Sequence, residues 1–263
     1  MTKTAKFILI FYVLFFVLMP AVTALAQENT AAETQDASAE DLGVSDPTLL
    51  PDSPFYFLKE WGRQIRLTFI FNNVKKLELE NKFTNEKLVE LKKIIDNSSD
   101  PAIIEKATEK YQNAVDKIKE RAEKIKEKAS ENEDVSKFLE KFTNQQVLHE
   151  KILQKLEGQV PEQVFEKIEE ARERHLERFG QVMQKLENNK EKIAERVKNA
   201  LQNGDEINSE ILDRIKEKMP EDIKGKIESI RANVKNKIQE RIQRKIQQKI
   251  QNNNSVETEN LSQ

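Results

Sequence analysis

Apolar residues three and four apart recur down nearly the whole chain, and little interrupts them. A sequence with that pattern can become little other than a set of long helices. The clearest run is Ile104, Ala107, Tyr111, Val115, Ile118, Ala122, Ile125 and Ala129. Such steps place every member on one narrow stripe, of the width that a single neighbour buries in a helical hairpin or coiled coil. The 263 residues include only six glycines and seven prolines, too few turn formers for a sandwich or a doubly wound sheet. The predicted fold class is all-α, an elongated antiparallel helical bundle of coiled-coil-like hairpins.

Breaks in the pattern divide the chain. Asp52-Ser53-Pro54 opens a first helix, with Ser53 as its cap and Pro54 in the first helical position, where a missing N–H costs nothing. Leu58, Trp61, Ile65 and Phe69 follow at helical spacing, and Phe57, Leu67, Ile70 and Phe71 widen the apolar surface. Residues 50–71 hold six of the twelve aromatics outside the N-terminal apolar run. Aromatic side chains carry much of the burial a small core can gather, so this stretch is expected to be a core on which later helices dock, with a docking face over part of it as the alternative. Further helices are predicted from 73 to 95, 102 to 129, 135 to 156 and 161 to 186. The last two, joined by the turn Gly158-Gln159-Val160-Pro161, form an antiparallel hairpin. Residues 51–188 read as one helical domain. Residues 189–251 read as further amphipathic helices, the last one basic, and 252–263 as a frayed polar tail.

Residues 1–26 have the three parts of a secretory signal: Lys3 and Lys6, the apolar run 7–19, then Pro20 and Ala24-Leu25-Ala26. Cleavage after Ala26 would export the protein with Gln27 first. The alternative is an uncleaved membrane anchor, since 7–26 is just long enough to span a bilayer. Residues 27–50 are acidic, without an aromatic, and read as a disordered linker. With no cysteine in the chain, a disulfide framework, a thiolate metal site and a cysteine nucleophile are excluded.

The run LPDSPFYFLKEWGRQIRLTF followed by KKLELENKFTNEKLVEL resembles the opening of a bacterial family called domain of unknown function number 5667. Its members show an export or membrane segment, a Pro-Asp-x-Pro-hydrophobic-Tyr-x-Leu-Lys motif and a charged helical bundle. The motif falls here on Pro51, Asp52, Pro54, Tyr56, Leu58 and Lys59, with Trp61 beside it. Residues 148–171, including His149 and Val160-Pro161-Glu162, also resemble the family. The likeness covers about residues 50–186, with those after 188 outside it. It implies class and location but no activity.

No catalytic, cofactor or metal residues are assigned. Phosphate-loop, nucleophile-elbow and zinc-protease motifs are absent, and thin-striped helices offer no closed pocket for acid–base work. His149 and His175 are the only histidines. Both fall on apolar stripes, and the hairpin register leaves them about 7 Å apart along the axis. They are read as structural.

The basic C-terminal helix, with Arg231, Lys235, Lys237, Arg241, Arg244, Lys245 and Lys249 around an isoleucine series, is a candidate surface for an anionic membrane or cell-wall polymer. A coiled-coil strand is its competing reading. It lacks aromatics for base stacking, which argues against nucleic acid. The functional expectation is a non-enzymatic, extracytoplasmic helical scaffold or protein-interaction domain, with homo-oligomerisation open. A chaperone-like or ligand-sensing helical protein of the envelope is the alternative, and surface binding through the basic helix is another.

Overall fold

The computed structural model describes residues 37–125, 132–202 and 209–229, with the single residues 232, 236, 243, 244 and 247. The expected signal, the linker up to residue 36, the polar tail and Ala129 lie outside the described residues. Among those described, the secondary structure is helical with no strand, and no helix is long and apolar enough to cross a membrane.

The helices are α1 (Tyr56–Phe69), α2 (Asn73–Asn97), α3 (Pro101–Ile125), α4 (Glu133–Glu157), α5 (Glu162–Leu186), α6 (Lys190–Gln202) and α7 (Ser209–Lys218). Residues 221–229 are again helical. Their ends follow local chemistry. The Asn72 side chain accepts from the amides of Val74 and Lys75 at 2.8 and 3.2 Å, and Asn132 accepts from Asp134 at 2.9 Å. Each thereby satisfies amide groups that the first turn leaves without partners. Pro101 begins α3, and Asp100 accepts from the next amide at 2.9 Å.

Helices α2 to α5 form a four-helix bundle. α2 packs on α3 and α4, and α5 packs on the same two. The α3 stripe is therefore buried by two neighbours rather than one, which is why its inner face includes Ala114 and Gln112 as well as the expected positions. α6 packs against α4 and α7 against α5 and α4.

The C-terminal helices are not an appendage. Ile193, Val197, Leu201, Ile211, Ile215, Met219, Ile223 and Ile227 are all buried in the same apolar cluster as Phe138, Phe142 and Phe179. The boundary expected at 188 therefore does not exist in the packing. At Gly180 the approach is so close that a Cβ would collide with the Lys218 carbonyl oxygen, and only glycine leaves room for it.

The linker expectation also fails over residues 37–50. Leu42 and Val44 are buried in the bundle, and the Leu42 carbonyl accepts from Asn85 Nδ2 at 2.8 Å and Gln145 Nε2 at 2.7 Å. Two apolar residues among many acids are enough to dock a segment when a ready pair of amides receives its backbone.

Candidate functional site

Two features stand apart from ordinary helix packing: a polar layer across the bundle, and α1 turned inside out.

The bundle core is two apolar clusters, one ending at Leu77, Ile118, Val147 and Leu176, the other beginning at Leu88, Val115, Ile152 and Ala171. Between them lie Asn85, Gln112, His149, Glu150, Arg172 and His175, all buried, with Tyr111 reaching into the same layer. The Tyr111 hydroxyl is 3.0 Å from His149 Nδ1, and His149 Nε2 is 2.8 Å from Asn85 Oδ1. Asn85 spends its own amide on Leu42, so its oxygen must accept from His149 Nε2–H, leaving Nδ1 to accept from Tyr111. Burial holds the His149 pKa at about 3 and His175 well below the usual range, with the positive charge of neighbouring arginines adding to the second effect.

The two histidine rings are 5.4 Å apart between centroids, closer than the hairpin register suggested. Side chains lean toward the N-terminus of their own helix. In an antiparallel pair, that tilts His149 away from the turn and His175 toward it, which closes the axial offset. Glu150 accepts from Arg172 at 2.6 Å and ion-pairs with Arg214 of α7 at 3.2 Å. Burial pushes its carboxyl above the usual range against both arginines. No group of three metal-ligating side chains assembles among the described residues.

Residues 50–71 behave otherwise than expected. Phe57, Leu58, Trp61, Ile65 and Phe69 lie within an arc of about 120° on α1, and that arc faces solvent. Trp61 is 65% exposed, Phe69 74% and Phe71, just past the helix, 90%. The expectation of a core here, at Leu58 and Trp61 in particular, is thus corrected. The buried arc carries Tyr56 and Arg63 instead. Ser53 does not cap the helix. The chain turns at 50–54, with the Ser53 hydroxyl accepting from the Phe55 amide at 3.3 Å, and α1 starts only at Tyr56.

The inner arc is a polar latch onto α2. The Tyr56 hydroxyl donates to Glu90 Oε2. Arg63 donates to Glu90 Oε1 and Glu86 Oε2, both at 2.7 Å, and to the Tyr56 oxygen at 3.1 Å. Lys59 pairs with Glu90 at 2.7 Å and donates to the Leu49 carbonyl at 3.2 Å. Glu60 is held between Arg63 and Lys87, the latter at 2.7 Å. Burial pushes the Glu60 carboxyl up, but Lys87 and Arg63 outweigh it and bring the pKa down to about 2. Burial holds Lys87 below its usual value, and burial beside the Glu90 carboxylate raises Tyr56. Lys110 of α3 stands 4.8 Å over the Tyr56 ring.

Of the motif residues, Tyr56 and Lys59 make the latch and Pro51 is buried in the turn before it, while Asp52, Pro54, Leu58 and Trp61 are exposed or partly so. Glu60, Arg63, Glu86, Lys87 and Glu90 complete the latch and were not singled out from sequence. Their only signal is that Glu86 and Glu90 fall one turn apart on α2. Arg244 is exposed; Arg231, Lys235, Lys237, Arg241, Lys245 and Lys249 lie outside the described residues.

The architecture is an all-helical bundle carrying one latched helix whose apolar face is displayed. The chain belongs to the family of the domain of unknown function DUF5667, whose model matches residues 48–222. The match runs past 188 and takes in α6 and α7, as the continuous core requires. Among curated proteins and among solved structures, nothing matches the chain.

Proposed function

We propose that the protein is a non-enzymatic, exported helical scaffold that works by adhesion, with the outer face of α1 as its contact surface. One observation carries this reading: an aromatic face is turned to water while the polar face of the same helix is buried in an ion-paired latch. A helix free to choose would bury Trp61 and Phe69 and leave Arg63 in water. Contiguous exposed apolar surface of this kind marks an interaction site. Export rests on the three-part N-terminal segment and places the surface in the bacterial envelope.

The reading predicts that Phe57→Ser with Trp61→Ser leaves the helical circular dichroism and melting temperature within about 3 °C of the parent, while capture of envelope components is lost. A variant that unfolds would return α1 to the core and sink the proposal. So would undiminished capture. Mass spectrometry of the mature chain checks export separately, with Gln27 expected as the first residue.

A further inference from the structure

We propose that the outer face of α1 docks onto the anionic surface of a lipid bilayer. This rests on the reading that this face is the contact surface, and names what it contacts.

The charge around the face is one-sided. Between Leu50 and Leu77, with Lys59 and Arg63 taken up in the latch, Arg66, Lys75 and Lys76 stand against two acids, Asp52 and Glu60, in a chain whose net charge is -2. Glu60 is occupied by Arg63 and Lys87. Arg66 is exposed on one flank of the aromatic arc, and Lys75 is exposed just past its end. On the other flank a cleft separates α1 from α3, lined by Gln64 and Thr68 on the α1 side. Lys110, Lys117 and Lys124 edge it from α3, spaced seven apart and so on one side of that helix. In the same cleft Glu80 is bound by Arg121 at 2.7 Å, leaving Glu120 as its exposed carboxylate. An aromatic ridge with bases on both flanks matches a bilayer interface. The rings enter the boundary between headgroups and acyl chains, and the lysines and Arg66 meet the phosphates. Tryptophan in particular favours that depth.

The same charge argues against a second copy as the occupant, because two such faces would bring like charges together as their apolar strips met. A protein partner would need an apolar groove with an acidic rim to take a convex ridge. A bilayer supplies both properties without a matched shape.

Trp61 is the only tryptophan, so its emission reports on this face alone. The full chain is mixed with vesicles of phosphatidylcholine, brominated on the acyl chains, with about one part in four of phosphatidylglycerol. Vesicles of the brominated phosphatidylcholine alone serve as control, and any insertion of the apolar run 7–19 is common to both. The expected result is a blue shift and at least about twofold quenching of Trp61 with the anionic vesicles only. Lys117→Glu with Lys124→Glu should abolish the difference with circular dichroism unchanged, and Phe57→Ser with Phe69→Ser should do the same.

Trp61 emission that stays at its aqueous position in anionic vesicles overturns the proposal. If it then shifts with an envelope protein fraction, the contact surface stands and its partner is protein. A shift that follows protein concentration without vesicles makes the occupant a second copy and also overturns the lipid assignment. If no addition moves it, the reading of the face as a contact surface falls as well.

Discussion

The Tyr111 hydroxyl is the smallest group on which the bundle's centre depends. It satisfies His149 Nδ1, whose other nitrogen holds Asn85, which in turn holds the Leu42 carbonyl. Tyr111→Phe would leave a buried acceptor unpaired, and we expect a loss of about 1–3 kcal/mol by urea denaturation. The two histidines also set a pH limit. Their folded pKa values lie below the unfolded 6.5, so the unfolded chain takes up protons first on acidification. The His149 contribution to stability is therefore complete above pH 6.5 and lost as pH falls from there toward 3, at about 1.4 kcal/mol per pH unit, and His175 acts in the same direction. Melting between pH 7.5 and 5 should show the fall, and His149→Gln should remove the His149 share and leave that of His175. That both histidines would be buried was readable from their place on apolar stripes. Their partners were not, because Asn85 lies 64 residues from His149, and helical periodicity says nothing about which side chains meet across a bundle.

At the scale of a helix, α1 shows what amphipathic patterning leaves undecided. The spacing of Phe57, Trp61, Ile65 and Phe69 fixes that the segment is helical and that one side is apolar. It does not fix which side faces the protein. That depended on Glu86, Lys87 and Glu90 presenting partners for Arg63, Tyr56 and Glu60. Arg63→Met removes the centre of the latch and leaves Glu90, which is 1% exposed, with only Lys59 and Tyr56 as partners. We expect α1 to come loose while the four-helix bundle persists, seen as faster amide exchange confined to residues 56–69. Acid should do the same in a different range from the histidines. The Glu60 pKa is depressed to about 2 from 4.5, so the latch keeps its contribution above pH 4.5 and loses it as pH falls toward 2. Gly180 makes the complementary case on α5. Alanine there gains about 1 kcal/mol of helix propensity, but its Cβ meets a backbone carbonyl that cannot rotate away. Gly180→Ala should therefore destabilise, by about 1–3 kcal/mol net, with the C-terminal helices displaced.

For the molecule as a whole, the question is where the folded body ends. Thinning apolar stripes after 188 suggested a separate C-terminal region, yet thin stripes are what helices need when they close one side of an existing bundle rather than build a core of their own. Ile193, Val197, Leu201, Ile211, Ile215 and Met219 each bury a side chain against α4 and α5 or one another. Burial of each side chain is worth about 1.5–3 kcal/mol in transfer terms, and ordering the added backbone offsets much of that. What is not offset is the surface left behind. Without α6 and α7, Val147, Phe179, Val182 and Met183 lose part of their cover, and Glu150 loses Arg214 as a partner. A chain ending at Glu187 should therefore melt at lower temperature, bind a hydrophobic dye and self-associate in light scattering. A chain ending at Ser229 should match the parent in all three. If the shorter chain melts like the parent and stays monomeric, α6 and α7 are dispensable to the fold, and the boundary belongs at 188 after all.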